Sequence, residues 1–205
     1  ARKVRMAAIF LELEKEIELQ LTDVYSPNDY FNINPLVKIP TLITRDGLAL
    51  TNSPFILEYL NSLSLKKKIL PELSPLRWEV LNDQSIADGM MEASVLRRYE
   101  ILRDPDKRDP KFDFRQKEKV KNALNFFESK LKTINESPLK VSKLKRFDFQ
   151  DITEWTVSEI TLVCALGYLE LRYSDENWLK DFPYLLFWYN EVSSLDVVIN
   201  TKAKI

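Results

Sequence analysis

Histidine does not occur among the 205 residues of this chain, and that absence removes several chemistries at once. Ser-His and Cys-His nucleophile pairs, a histidine general base and His-containing zinc sites are all excluded within it. Glycine is nearly as scarce. Gly47, Gly89 and Gly167 stand isolated, so there is neither a P-loop nor a GxGxxG phosphate cradle. Cysteine occurs once, as Cys164, which cannot form an internal disulfide. Nothing in these residues resembles a signal peptide, and no apolar run approaches the roughly 20 residues of a membrane span. The expectation is a soluble protein of a reducing, cytoplasmic compartment that uses no metal.

Charge of either sign is also missing from the balance. Thirty basic residues against 31 acidic ones give a net charge of -1, so nothing overall draws the chain to nucleic acid or to an anionic membrane. The Lys66–Lys68 triplet and the Ser142–Arg146 stretch lack interleaved aromatics for base stacking, and both read as solvated loops. What is present is apolar material: 45% of the residues are hydrophobic, enough for one large core or two modest ones.

The first 65 residues mix two periods. Val4, Ala8 and Leu11 share a helical face, whereas Ile17, Leu19 and Leu21 alternate with Glu18 and Gln20 as in a half-buried strand. Asn28 to Asn34 reads as a short helix or turn. Thr41–Thr44 and Leu48–Thr51 then form a predicted hairpin around Asp46-Gly47, a pair that tolerates positive φ. Ser53 has the hydroxyl of an N-cap and Pro54 the fixed φ of a first helical position, opening a helix that buries Phe55, Ile56, Tyr59, Leu60 and Leu63. After a Pro71–Pro75 connector the pattern is wholly helical, with helices expected near 76–102, 112–135, 156–173 and 183–195. Residues 103–110 and the basic stretch 137–149 read as connecting loops. The domain boundaries that follow are 1–66, a linker over 67–75, and 76–205.

Three devices combine between Asn34 and Leu60, NPLVKIPTLITRDGLALTNSPFILEYL: an Ile-Pro step into a strand, a DG turn, and Ser-Pro opening a helix. The stretch resembles the glutathione-binding half of the glutathione S-transferase superfamily, whose pattern runs NPxGKxPxL, then an acidic residue and Ser, then a helix ending near EYL. RWEVLNDQSIADGMMEASVLRR from Arg77 and CALGYLELRY from Cys164 to Tyr173 are similar to the bacterial branch. In TVSE, Thr156 and Glu159 make a capping box in which hydroxyl and carboxylate each satisfy a free backbone N–H. The resemblance implies an α/β thioredoxin-like N-terminal domain followed by an all-α C-terminal helical bundle. It further implies glutathione as co-substrate, thiol transfer to a small electrophilic or hydrophobic partner, and a homodimer.

Carried over residue by residue, the resemblance assigns glutathione to Lys38, Ile39, Pro40, Asn52 and Ser53. It implies a cis bond before Pro40 that turns the Ile39 main chain outward to pair with the cysteinyl backbone, and an α-helix N-terminus at Ser53 that receives the γ-glutamyl carboxylate. Lys38 reads either as a contact to an anionic end of the ligand or as a solvated lysine. Asn52 stands where an acidic residue is usual and brings no negative charge for the ligand's ammonium. Val37 stands where glycine is frequent, and a β-branched residue disfavours positive φ, so the loop is expected to take another path. Both departures predict weaker glutathione binding.

Met91, Val95 and Tyr99, spaced by four, are assigned to the co-substrate pocket, a plain core stripe being the alternative. Gly89 should cost about 1 kcal/mol against alanine inside a helix. A close approach there would account for it, and the resemblance, in which this helix faces both the partner subunit and the cleft, makes Asp88 and Gly89 candidates for the dimer interface or the ligand, a tolerated surface glycine being the alternative. Cys164, flanked by Leu162, Val163, Ala165 and Leu166, reads as a small buried hydrophobe and is assigned no chemistry.

No catalytic residue is assigned within the chain. Family members of the bacterial type read SPYxRKVR, and Ala1-Arg2-Lys3-Val4-Arg5 matches the end of that string, which puts the catalytic Ser, Cys or Tyr and the first strand upstream of residue 1. That strand's buried side chains, at about 1.5–3 kcal/mol each, would rival a net stability of about 5–15 kcal/mol. Roughly ten further residues are accordingly expected, and an intact mass equal to that of the 205 residues would refute this. The leading expectation is a glutathione transferase. The competing one is a non-catalytic relative that binds a partner protein or hydrophobic ligand.

Overall fold

The computed structural model describes residues 1–25, 29–136 and 147–203. Its regular elements are helix α1 (Arg2–Phe10), strands β1 (Thr41–Ile43) and β2 (Ala49–Thr51), and helices α2 (Ser53–Leu63), α3 (Pro75–Leu102), α4 (Pro110–Glu136), α5 (Val157–Tyr173), α6 (Pro183–Ser193) and α7 (Asp196–Thr201). A small α/β unit precedes a helical bundle, as the periodicities and the resemblance imply. Asp29–Asn32 forms a single 3-10 turn; Asn28 and the stretch 137–146 lie outside the described residues.

The β1–β2 hairpin is antiparallel, with Thr41 opposite Thr51, Leu42 opposite Leu50 and Ile43 opposite Ala49. Gly47 supplies the turn's positive φ of 87°. The Thr44 hydroxyl donates to the Asp46 carboxylate at 2.5 Å and holds that carboxyl below its usual pKa. The alternating segment around Ile17, Leu19 and Leu21 departs from the strand expected of it. It pairs with neither strand of the hairpin, and Leu19 and Leu21 are 65% and 100% exposed. Alternation marks a face that could be buried, but a ladder also needs a neighbouring edge, and none is paired to it here.

Helix α5 lies at the centre of the bundle. Every residue from Val157 to Leu166 is buried, so the helix is covered all round, as its apolar composition requires. One side meets α3, whose buried stripe through Val80, Ala87, Met90 and Ala93 recurs every three or four residues. Two charged members of that stripe are paired, whereas the Gln84 amide nitrogen is buried without a hydrogen-bond partner among the described residues. Asp83 accepts from the Lys130 ammonium at 2.6 Å, and Arg97 reaches Asp113 at 2.9 Å and Glu176 at 3.0 Å. Burial works against the Arg97 charge, but the two carboxylates more than offset it and move its pKa up.

The α/β unit is fastened to the bundle at several points. Lys3 of α1 meets Asp88 of α3 at 2.5 Å, and Arg2 and Arg5 donate to the Val198 and Asn200 carbonyls at 3.0 and 3.1 Å. Trp155 stacks on Phe10 with ring centroids 5.5 Å apart and lies 5.9 Å from Trp188. The last predicted helix ends at Ser193 rather than 195, and the six-residue α7 beyond it is too short to leave a readable period. The box at Thr156 forms: Thr156 N–H donates to Glu159 at 2.8 Å, and Ser158 N–H donates to the Thr156 hydroxyl at 3.2 Å.

Candidate functional site

Register brings the two halves of the Asn34–Leu60 motif together. Because Thr41 faces Thr51, the Ile39-Pro40 step before β1 and the Asn52-Ser53 step after β2 lie at the same end of the hairpin. Neighbouring strands are only about 4.8 Å apart, so two segments entering and leaving that end form one surface.

The Ile39-Pro40 peptide is cis, and Ile39 is exposed. Its approach is fixed by Asn34, which is 1% exposed. The Asn34 amide group donates to the Lys38 carbonyl at 2.7 Å and the Thr41 hydroxyl at 3.0 Å, while its oxygen accepts the Leu36 N–H at 3.0 Å. The Tyr30 hydroxyl, with a single proton to give, lies between the same two acceptors, its oxygen 3.0 Å from the Lys38 carbonyl and 2.6 Å from the Thr41 hydroxyl. With the Lys38 carbonyl engaged inward, no hydrogen bond among the described residues occupies the Ile39 N–H or C=O. The Lys38 side chain is exposed, and among the described residues it has no carboxylate partner.

Val37 does not take another path. Its φ is 50°, and its N–H donates to the Asn34 carbonyl at 2.9 Å. The hydrogen bonds of Asn34 and Tyr30 outweigh the cost of about 1–2 kcal/mol that a side chain meets in the left-handed region.

The opening of α2 is shifted by one residue from the expected cap. Asn52, at φ 73°, is the N-cap and makes no side-chain cap bond, and Ser53 is the first helical residue, followed by Pro54. The reason lies in β2, which ends at Thr51: one positive-φ residue suffices to turn the chain from strand to helix, and Asn tolerates it. The first bond into the helix runs from Ile56 N–H to the Asn52 carbonyl at 3.2 Å. The N–H groups of Ser53 and Phe55 are therefore left at the N-terminus of α2 beside the Ser53 hydroxyl. Such an end favours an anion.

In the bundle, Met91 and Val95 are half-buried on α3, and Tyr99 is exposed, its phenol facing that of Tyr25. This stripe lies at the edge of the core rather than inside it. Asp88 is engaged by Lys3, and Gly89 is exposed, with nothing within 4 Å of a Cβ built on it. Within the chain the close approach to a helical glycine is at Gly167, where a Cβ would stand 2.2 Å from Arg2 Nη1. Cys164 is buried, and burial pushes its thiol up to about 11.

Sequence reasoning passed over Asn34 and Tyr30, the two side chains that shape the Ile39-Pro40 turn. The signal available was the Asn-Pro pair five residues before Ile-Pro, since Asn side chains bond main chain two residues on. Among the described residues, no group of three His, Cys, Asp or Glu side chains is placed to hold a metal, and no helix is long and apolar enough to cross a membrane.

Residues 1–63 match the family model described as glutathione S-transferase, N-terminal domain. Over 188 residues the chain is 29% identical to the uncharacterized GST-like protein YibF of Escherichia coli K12, covering 89% of this chain and 85% of that protein. A glutathione transferase family member from Pseudomonas fluorescens Pf-5, solved with bound glutathione, superposes with a TM-score of 0.84 at 30% identity, covering 100% of this chain and 94% of that one. A glutathione S-transferase from Methylobacillus flagellatus KT, also solved with glutathione, gives 0.85 at 27% identity over 99% and 94% of the two chains. With the thioredoxin-like and helical halves in the same order and both steps of the motif at one end of the hairpin, the chain belongs to the glutathione S-transferase superfamily.

Proposed function

We propose that this protein binds glutathione on the unit formed by residues 1–66 and transfers its thiol to a small electrophile held against residues 76–205, with 67–75 as the connector. The observation that carries this reading is the convergence, at one end of the β1–β2 hairpin, of two sets of unspent main-chain groups: those of Ile39 and those opening α2. A tripeptide has the matching parts. Its cysteinyl backbone extends along Ile39 as a short strand would, and its γ-glutamyl carboxylate meets the Ser53 hydroxyl and the N-terminus of α2. The relatives from Pseudomonas and Methylobacillus hold glutathione, which supports the same ligand here.

In the transfer the thiol gives its proton to solvent, and the thiolate sulfur forms a bond to the electrophilic carbon as that carbon's bond to its leaving group breaks, the leaving group departing with the electron pair. Lys38, exposed and without an acidic partner among the described residues, is free to meet a second carboxylate of the tripeptide. Homodimerisation accompanies this reading: Phe55 on α2 and Trp78 on α3 expose apolar surface, 63% and 66% of each residue. A single buried cysteine suits a reducing cytoplasm.

Calorimetric titration with glutathione tests the proposal. The expected result is saturable binding that weakens about tenfold in Ser53→Ala, the loss of one hydrogen bond to a charged group. Absence of binding would overturn it. A second reading, a non-catalytic ligand-binding module, is favoured by Asn52, whose neutral, exposed side chain offers the ammonium group no charge. Glutathione binding without conjugation to any of a panel of electrophiles selects that reading.

A further inference from the structure

Helices α3 and α5 are joined where the Tyr173 hydroxyl donates to the Ser94 carbonyl at 2.6 Å. That bond sets the last turns of α5 beside residues 94–99 of α3. On α5, Tyr168 and Arg172 are one turn apart and share a face. On α3, Arg98 and Tyr99 follow Val95 within one turn. Tyr25 reaches in from the segment before the first hairpin, facing Tyr99 and coming within electrostatic range of Arg172. Tyr168 is half-buried and is approached by both Arg172 and Arg98.

Two guanidinium groups and three phenol rings therefore converge where the α/β unit meets the bundle. Their charge is not already spent. The neighbouring Arg97 is taken up by Asp113 and Glu176, whereas neither Arg98 nor Arg172 has an ion-pair partner among the described residues. The acidic group at this place is Asp23, whose carboxylate accepts the Tyr25 N–H at 2.9 Å. Two positive charges against one negative leave a net positive patch on this surface.

The side chains present have a common ligand chemistry. Arginine presents paired donors that match a carboxylate, and the phenol faces cover a flat apolar body beside it. We propose that Arg98 and Arg172 form an anion-recognising subsite that selects co-substrates carrying a carboxylate on an aromatic or otherwise flat apolar frame. As a statement about co-substrates it rests on the transferase reading above; as a statement about an anion site it does not.

The test uses the full chain without glutathione. Calorimetric titration compares 2-naphthoate with its uncharged amide, 2-naphthamide. The carboxylate is expected to bind about tenfold or more tightly, the size of one charge-assisted hydrogen bond. In the double variant Arg98→Gln/Arg172→Gln the two ligands should bind alike, and the Arg172→Lys variant should keep part of the preference. A thermal melt of each variant separates loss of the subsite from loss of the fold. Equal binding of acid and amide to the unaltered protein, or a preference that survives the double substitution, overturns the subsite. Glutathione is titrated into the same variants separately. Its binding should be unchanged, and a chain that takes naphthoate but not glutathione would sink the transferase reading while leaving the subsite standing.

Discussion

Lys3 and Asp88 meet at 2.5 Å, and the lysine side chain is only 5% exposed. A charge in that position depends on its partner, because removing one member leaves the other buried and uncompensated. Asp88→Asn should therefore lower stability to urea by about 3 kcal/mol, at the low end for a buried pair because Asp88 keeps part of its surface in water. The double variant Lys3→Met/Asp88→Leu should regain most of that loss. A single-variant loss under about 0.5 kcal/mol would show the pair to behave as a surface one.

Val37→Gly is expected to stabilise the protein. The valine sits at φ 50°, a region that costs a side chain about 1–2 kcal/mol, and glycine removes that cost while adding about 0.5–1 kcal/mol of unfolded-state entropy. The net gain should be several tenths of a kcal/mol in a urea titration. A loss instead would mean that the hydrogen bonds of Asn34 and Tyr30 do not hold the loop in that conformation.

Two helical glycines should respond differently to the same substitution. At Gly89 an added methyl meets nothing within 4 Å, so Gly89→Ala should gain about 1 kcal/mol of helix stability. At Gly167 the methyl would stand 2.2 Å from Arg2 Nη1, so the arginine end must swing aside and release its bond to the Val198 carbonyl, a loss of about 0.5–1.5 kcal/mol that cancels the helix gain. Thermal melts of the two variants decide this. If Gly89→Ala lowers the melting temperature, the surface at Gly89 is covered in solution, as an interface there would require.

Burial raises the Cys164 thiol from 9.0 to about 11. The folded state thus holds its proton more tightly than the unfolded state. The sign follows: the contribution to stability is complete below about pH 9 and disappears as the pH rises towards 11. Urea midpoints measured across that window should fall more steeply for the unaltered protein than for Cys164→Ala. Maleimide labelling at pH 8 should likewise be slow until denaturant is added, and rapid labelling of the native protein would contradict the burial.

Local chemistry made parts of this fold legible. Asp46-Gly47 and the Thr156/Glu159 box act through atoms a few residues apart, so short strings suffice to foresee them, whereas the cis bond at Ile39-Pro40 is implied only by the family resemblance. The strand expected around Leu19 failed because alternation says which side chains would share a face and nothing about an edge to pair with. Ser53 and Asn52 are both capable N-caps, and only the φ of 73° at Asn52 decides between them. The Arg97 pairs with Asp113 and Glu176 span 16 and 79 residues, beyond any local pattern. The anion subsite has the same character, for its members come from three separate segments.

The buried amide of Asn34 has a consequence for ligand capture. By bonding the Lys38 carbonyl, the Thr41 hydroxyl and the Leu36 N–H, it fixes the Ile39 main chain before any peptide arrives. The ordering entropy of that edge is settled during folding and is not subtracted from affinity. For the glutathione binding proposed above, preorganisation of this kind would let a small patch of backbone hold a flexible tripeptide.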